Sequence, residues 1–213
     1  MEMPLFPLHL VLFPGVGCPL HVFEVRYRAM MEHILSGDRR FGVVAIRQGQ
    51  EVGGDADVFD IGTIAEVEAV QRSEDGRMAI AARGIERFRI EQRLPDDPFP
   101  RATIRVLADE MGGELRGALT SARAAVHRYL SVVAKLRGTE VVAPGLGESD
   151  AIKISYALAD AVQLDLPERQ RLLEAATAAD RLALVERAAR AEARLLEVIG
   201  PPVGHDGESV HLN

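Results

Sequence analysis

Cys18 stands nine residues after His9 and three before His21, a thiol with two imidazoles close in sequence. A cysteine nucleophile needs such a base and a third group to orient it. No orienting group lies nearby, so Cys18 reads as a small apolar filler on a short strand, with the histidines at polar positions. His9, His21 and His33, with Glu24 or Glu32, have the donor atoms for a metal, but no ligand-like spacing such as His-x-x-x-His puts two of them on one helix face. The lysines are Lys135 and Lys153. Neither follows a glycine or precedes a serine or threonine, so no phosphate-cradling loop forms around them. Ser155 lies two residues beyond Lys153, on a different face of a helix, so the pair is no serine–lysine dyad. The expectation is a chain with no catalytic residue, no metal and no cofactor.

Arg72, Arg77, Arg83, Arg87, Arg89 and Arg93 cluster around one predicted hairpin and could follow a phosphate backbone. Residues 1–110, however, carry thirteen basic and eighteen acidic side chains, a balance of −5 within a chain of net charge −7. Arginines interleaved with glutamates on a strand read as a solvated face, which argues against nucleic acid and against an anionic membrane. A sticky surface is the remaining possibility. Met30, Met31, Val58 and Phe59 are candidate protein-contact residues, because methionine adapts to varied partners and apolar residues on a loop suit weak peptide contacts. The competing reading of Met30 and Met31 is that they pack an early helix onto the strands.

The elements that would position these residues fall into two compositional halves. The 213 residues suit one large domain or two small ones, and 47% hydrophobic content is enough for a core. One cysteine permits no internal disulfide and points to a reducing compartment. Glu2, the absence of a basic n-region and the prolines of the first apolar run do not fit a secretory signal. No apolar stretch is long enough to span a bilayer. A cytoplasmic protein is expected.

Leu5 to Leu12 reads as an apolar strand bent at Pro7, followed by a Pro14-Gly15 type II turn and a second strand from Cys18 to Phe23. Glu24 to Leu35 is helix-like and stops at Ser36-Gly37-Asp38, with Gly37 as the residue after the cap. Phe41–Ile46 is a buried strand, and Gly49–Asp60 a mobile loop. Ile61, Thr63, Ala65, Val67 and Ala69 share one face of a strand that turns at Asp75-Gly76. Met78, Ile80 and Ala82 share a face of the return strand, which Gly84 breaks. Phe88 and Ile90 then alternate with Arg87, Arg89 and Glu91, and Ala102–Ala108 is the last alternating run. Short strands with one early helix suggest a strongly bent sheet or small barrel.

All seven phenylalanines lie at or before Phe99, and the chain turns alanine-, leucine- and arginine-rich after Glu114. Leu115, Leu119, Ala122, Val126, Tyr129, Val133 and Leu136 recur at helical steps. After a loop over Gly138–Gly147, Ser149 can cap a second helix bearing Ile152, Ile154, Leu158, Ala161 and Val162. Asp165-Leu166-Pro167 starts a third, and Thr177 with Asp180 forms a capping box for a fourth. Leu184, Ala188, Ala191, Leu195 and Val198 form the stripe of that last helix, which stops at Gly200-Pro201-Pro202. This is an α+β chain: a β-rich domain over 1–110, an α-helical bundle over 114–200 and a disordered tail over 201–213.

Phe6-Pro7-Leu8, Leu12-Phe13-Pro14-Gly15 and Pro19-Leu20-His21-Val22-Phe23-Glu24 with Arg26-Tyr27 resemble the opening of the Lon protease N-terminal, substrate-binding domain. Ile61-Gly62-Thr63-Ile64-Ala65 and Arg83 to Ile90 resemble that family's later strands. Ala157-Leu158-Ala159, Leu164 to Gln170, Leu172-Leu173-Glu174 and Asp180-Arg181-Leu182 are similar to its helical part. The resemblance runs from about Met3 to Glu197. It implies a PUA-like pseudo-barrel followed by a C-terminal helical bundle, and a stand-alone member without ATPase and protease modules. The function it implies is non-enzymatic binding of exposed or unfolded polypeptide segments, or an adaptor role for a protease or other assembly, through a surface joining barrel and bundle. The alternative is a domain that senses a small molecule or nucleotide in the cleft between barrel and helices, and an unrecognised hydrolase ranks third.

Overall fold

The computed structural model describes residues 1–49, 56–140 and 148–199. The glycine-rich centre of the expected 49–60 loop, the loop around Pro144 and the 201–213 tail lie outside the described residues.

The chain opens with strand β1 (Glu2–Leu8), strand β2 (Gly17–Val22) and helix α1 (Val25–Leu35). Strands β3 (Arg40–Gln48), β4 (Asp57–Val58), β5 (Ile61–Arg72), β6 (Met78–Leu94) and β7 (Arg101–Val106) follow. Neighbouring strands run in the order β1-β7-β6-β5-β3, and β1 also pairs with β3 in parallel, so the sheet closes on itself. β2 is added to β6 and β4 to β3. Closure leaves little free edge on the ring strands, the stretch of β1 past Leu5 excepted. Met3, Leu5, Val44, Ile46, Ile64, Phe88, Ala102 and Ile104 come from every ring strand and fill the barrel interior. The alternate residues, among them Phe6, Phe41, Val43, Ala65 and Val67, form a second cluster under α1 and β2.

Proline and glycine sit where the closure needs them. β7 pairs with β1 only over Glu2–Pro4, so Pro7 occupies the half of β1 that pairs with β3 alone, where a missing N–H is tolerated. Phe13-Pro14-Gly15-Val16 is a turn closed by a 3.1 Å bond from the Val16 amide to the Phe13 carbonyl, with Gly15 at φ 82°. This turn crosses β6 at Gly84. A Cβ there would lie 2.4 Å from the Phe13 carbonyl oxygen.

Gly84 therefore does not break the strand, as the sequence suggested. β6 runs unbroken through it, with a register shift opposite Ile64/Ala65 that bends the ladder. A second irregularity opposite Val67/Ala69 leaves Ala69 exposed and turns Val70 inward, which overturns the expected Ala69 face. At the end of α1, Arg39 rather than Gly37 takes the left-handed conformation, with φ 63°.

Helices α2 (Leu115–Arg137), α3 (Ala151–Ala161), α4 (Leu166–Glu174) and α5 (Ala178–Ile199) complete the described fold. α2 buries Ala122, Val126 and Tyr129 of its expected stripe and ends on left-handed Gly138. Asp150, not Ser149, caps α3 by accepting from the Ile152 amide, while the Ser149 amide donates to Glu148. At α5, Thr177 Oγ1 accepts from the Asp180 amide and donates to the Asp180 carboxylate at 2.7 Å. The short Asp180 meets the hydroxyl where a longer Glu would reach the cap amide.

The core face of α5 is Leu182, Val185, Ala189 and Ala193. The expected stripe is corrected: Leu195 is 51% and Val198 84% exposed. Alanine-rich helices carry little contrast between faces, and burial of Arg181 and Leu182 sets the rotation here. These residues share one cluster with Val11, Phe13, Ala45 and Ile61 of the strand region, so barrel and helices bury apolar surface together.

Candidate protein-binding surface

β2 alternates strictly: Cys18, Leu20 and Val22 point inward, and Gly17, Pro19 and His21 outward. The alternation continues past the strand, so Phe23 follows Val22 out into solvent at 53% exposure. Val25, opening α1, is 73% exposed beside it. Among the described residues β2 pairs with β6 alone, and β1 past Leu5 forms a ladder with β3 alone. Residues of both strands and of α1 line a groove of about 170 Å3, among them Phe6, Leu8, Pro19, His21, Phe23 and Tyr27. Its apolar base is packed: the Phe6 and Tyr27 rings stack at 4.2 Å between centroids. The Arg26 guanidinium lies 4.6 Å over Tyr27 and pairs with Glu24 at 3.1 Å. Such a surface can hold an apolar side chain and leave strand backbone accessible beside it.

The barrel meets the helices through a buried polar joint. Arg87 on β6, only 3% exposed, reaches Asp109 Oδ1 at 2.7 Å and donates through Nη1 to the carbonyls of Leu173 and Ala175, each at 2.8 Å. Arg181 on α5, fully buried, donates to the Leu172 carbonyl, Ser155 Oγ and the Tyr156 hydroxyl, with Asp109 Oδ1 at 3.5 Å. Tyr156 donates in turn to Asp109 at 2.6 Å. Two guanidiniums face one carboxylate, and the excess positive charge is met by carbonyls at the C-terminal end of α4, the negative end of a helix. Burial pushes the Tyr156 phenol far above its ordinary value, although the neighbouring Arg181 opposes the shift. Burial draws Arg181 downward. Gln170 adds a bond to the Ile61 carbonyl, and Arg169 bonds Val11 and Asp160 while lying over the Phe13 ring.

Met30 and Met31 are completely buried beneath the strands, and Val58 is 3% exposed in the barrel cluster. None of the three presents surface to a partner. Phe59 is half-buried, its ring 4.8 Å beneath the Arg47 guanidinium. The structure does not gather these four into one patch. Phe23 was legible in the alternation of Pro19 to Phe23 but was not singled out, and Val25 two residues on is exposed as well.

Arg87 corrects the reading of the arginines as one solvated face. Arg72, Arg77, Arg83 and Arg93 are exposed and paired with Glu32, Asp75, Glu68 and Asp57 respectively. Arg87 shares the parity of Arg83, but the register shift at Gly84 pairs it with Thr63 and turns it to the opposite face, where the helices cover it. Sequence reasoning missed the joint, although Arg87 and Arg181 each stand inside a block that carries the family resemblance.

Cys18 is buried and its thiol is pushed up by desolvation, the opposite of what a nucleophile requires. Ser155 donates to the Ile152 carbonyl and accepts from Arg181, so its oxygen is committed to the joint. Among the described residues no three His, Cys, Asp or Glu side chains group as a metal site would need. No described helix is long and apolar enough to cross a membrane.

The profile of the ATP-dependent protease La (LON) substrate-binding domain matches residues 2–188. A Lon protease of Cytophaga hutchinsonii is 28% identical over 202 residues, 92% of this chain and 25% of the relative. Lon protease 2 of Herpetosiphon aurantiacus is 28% identical over 187 residues, 85% of this chain and 23% of its own length. The chain thus spans about a quarter of the curated relatives it matches. A Lon N-terminal domain protein from Xanthomonas campestris has the same fold, with a TM-score of 0.63 at 24% identity, covering 86% of this chain and 95% of its own. The N-terminal domain of a Mycobacterium avium complex Lon protease gives 0.66 at 14% identity, covering 89% and 98%.

Proposed function

Since the chain belongs to the ATP-dependent protease La (LON) substrate-binding domain family, we propose that it is a non-enzymatic module that holds exposed or unfolded polypeptide segments of other proteins. It does so directly, or as an adaptor that brings such a segment to a protease or other assembly in the cytoplasm. The observation that carries this reading is the groove between β1 and β2, open beside Phe23 and Val25. An apolar side chain enters the groove, Phe23 and Val25 flank it, and the affinity is low because one anchoring side chain must offset the cost of ordering an extended segment. No covalent step is involved. A peptide array made from unrelated proteins tests this. Apolar extended peptides should bind, and Phe23→Ser with Val25→Ser should abolish the signal while the fold is unchanged. Failure of every peptide to bind, or equal binding by the double variant, refutes the reading.

A second reading, recognition of a small molecule, is favoured by a cavity of about 480 Å3 lined by Glu2, Pro4, His33, Phe99 and Arg101. Its apolar walls and few polar groups are those of a small-ligand site. It lies between α1 and the strands, whereas Arg87, Tyr156 and Arg181 fill the contact between barrel and helices. A thermal-shift screen separates the two readings, because only this one requires stabilisation by a metabolite.

A further inference from the structure

α2 is a basic helix in an acidic protein. Arg116, Arg123, Arg128, Lys135 and Arg137 lie between Leu115 and Arg137, a span with no Asp or Glu, in a chain of net charge −7. All five are exposed. Helix stability does not account for them. Cations favour the C-terminal end of a helix, which suits Lys135 and Arg137, but Arg116 stands in the first turn, where the helix dipole opposes it. Among the described residues Arg116, Arg123 and Lys135 have no ion-pair partner. Arg128 pairs with Glu197 at 3.1 Å, and among the described residues Arg137 reaches only the neutral Gln163.

α5 brings further cations to the same place. Arg190 and Arg194 stand one turn apart and face Ala124, Ala125 and Arg128 of α2 across a groove of about 300 Å3. The small alanines leave the groove open between the two helices. Arg190 is held by Glu186 at 2.6 Å, whereas Arg194 has no acceptor among the described residues. Val198, one further turn along α5, continues this ridge with an apolar side chain that is 84% exposed.

We propose that the α2–α5 groove docks an acidic segment of a partner polypeptide. Carboxylate side chains enter between Arg128, Arg190 and Arg194, and an apolar side chain covers Val198. Charge complementarity selects this occupant. A polypeptide fits better than a nucleic acid, because the positive charge is confined to one helix pair. A long polyanion would continue onto a barrel region whose balance is −5. The groove is distinct from the β1–β2 groove, so the two sites fail independently.

The test is fluorescence anisotropy of the full chain with a short labelled glutamate–alanine peptide, a glutamine–alanine control and a single-stranded oligonucleotide of equal charge. The glutamate peptide should bind at low ionic strength and lose about ten-fold in affinity when salt rises to about 0.3 M, where screening extends only a few ångströms. The glutamine peptide should not bind. Arg128→Gln/Arg190→Gln/Arg194→Gln should weaken binding by a similar factor with unchanged circular dichroism. Arg194→Gln alone, which breaks no ion pair, should give a smaller loss, and Phe23→Ser should give none. Absence of glutamate-peptide binding, an unaffected triple variant, or tighter binding of the oligonucleotide than of the peptide overturns the proposal.

Discussion

Arg87 of β6 holds Asp109 at 2.7 Å, an ion pair between the barrel and the segment that leads from β7 into α2. Arg87 is 3% and the Asp109 side chain 20% exposed. The same carboxylate oxygen takes the Tyr156 phenol at 2.6 Å. Removing one partner of such a pair leaves the other charge buried and uncompensated, which costs far more than the net worth of the pair. Asp109→Asn should therefore destabilise the protein by about 3 kcal/mol or more. Arg105→Gln, which breaks an exposed pair with Glu91, should cost less than about 1 kcal/mol. Urea unfolding of both variants beside the wild type checks the contrast, and near-equal losses would show that the joint is not a stabilising contact.

Tyr156 supplies a pH dependence. Burial raises its folded-state value above that of an unfolded tyrosine. Above about pH 10, the ordinary tyrosine range, the unfolded chain releases a proton that the folded chain keeps, so stability should fall as pH rises. The contribution is fully present below that pH. Tyr156→Phe should be less stable at neutral pH, having lost the bond to Asp109, and should show a shallower alkaline decline. Denaturation at a series of pH values measures both slopes.

Gly84 is required by the crossing of the Phe13–Val16 turn. Its missing Cβ would sit 2.4 Å from the Phe13 carbonyl oxygen, a backbone atom that cannot swing aside. Gly84→Ala should cost about 2 kcal/mol or more through displacement of the turn, at the upper end of ordinary overpacking. Gly113→Ala, where a Cβ meets nothing within 4 Å, is the control and should be near neutral in thermal unfolding.

Met31 and Phe23 separate core from surface. Met31→Ala should cost about 2–5 kcal/mol, as for other large-to-small core changes. Phe23→Ala, at an exposed position, should stay within about 0.5 kcal/mol. Differential scanning calorimetry gives both values. A large loss for Phe23→Ala would mean that its ring supports the fold, and that a binding defect there could not be read as loss of contact.

Cys18 should resist alkylation in the native protein at neutral pH, because burial both shields the sulfur and disfavours the thiolate. Modification should keep pace with unfolding in denaturant. Rapid labelling of the native chain, followed by mass spectrometry, would restore the thiol to consideration as a reactive group.

The sequence alone determined the elements whose signals are local. Pro14-Gly15 and Asp75-Gly76 form the turns their residue types demand, because proline and glycine restrict backbone angles wherever they stand. The helix from Glu24, the stripe of α2 and the start of α4 at Asp165-Leu166-Pro167 followed from periodicity and from residue types within a few positions of one another. The ordered blocks from Phe6 to Leu182 also carried the family.

Tertiary structure decided what depends on coverage by distant chain. Arg83 and Arg87 have the same parity in the sequence of β6, yet the register shift at Gly84 pairs Arg83 with Glu66 and Arg87 with Thr63, on opposite faces of β5. Arg83 is therefore exposed beside Glu68, and Arg87 is turned under the end of α4. Strand periodicity gives the face of a side chain only as far as the next bulge, and the bulge is set by the turn that crosses at Gly84. α5 has alanines on several sides, so its buried face came from packing by Arg181 and Leu182 and not from hydropathy. Met30 and Phe23 are both large apolar residues near α1. Packing of α1 onto Phe6, Phe41 and Val43 covers the first, and the outward parity that follows Val22 leaves the second in solvent.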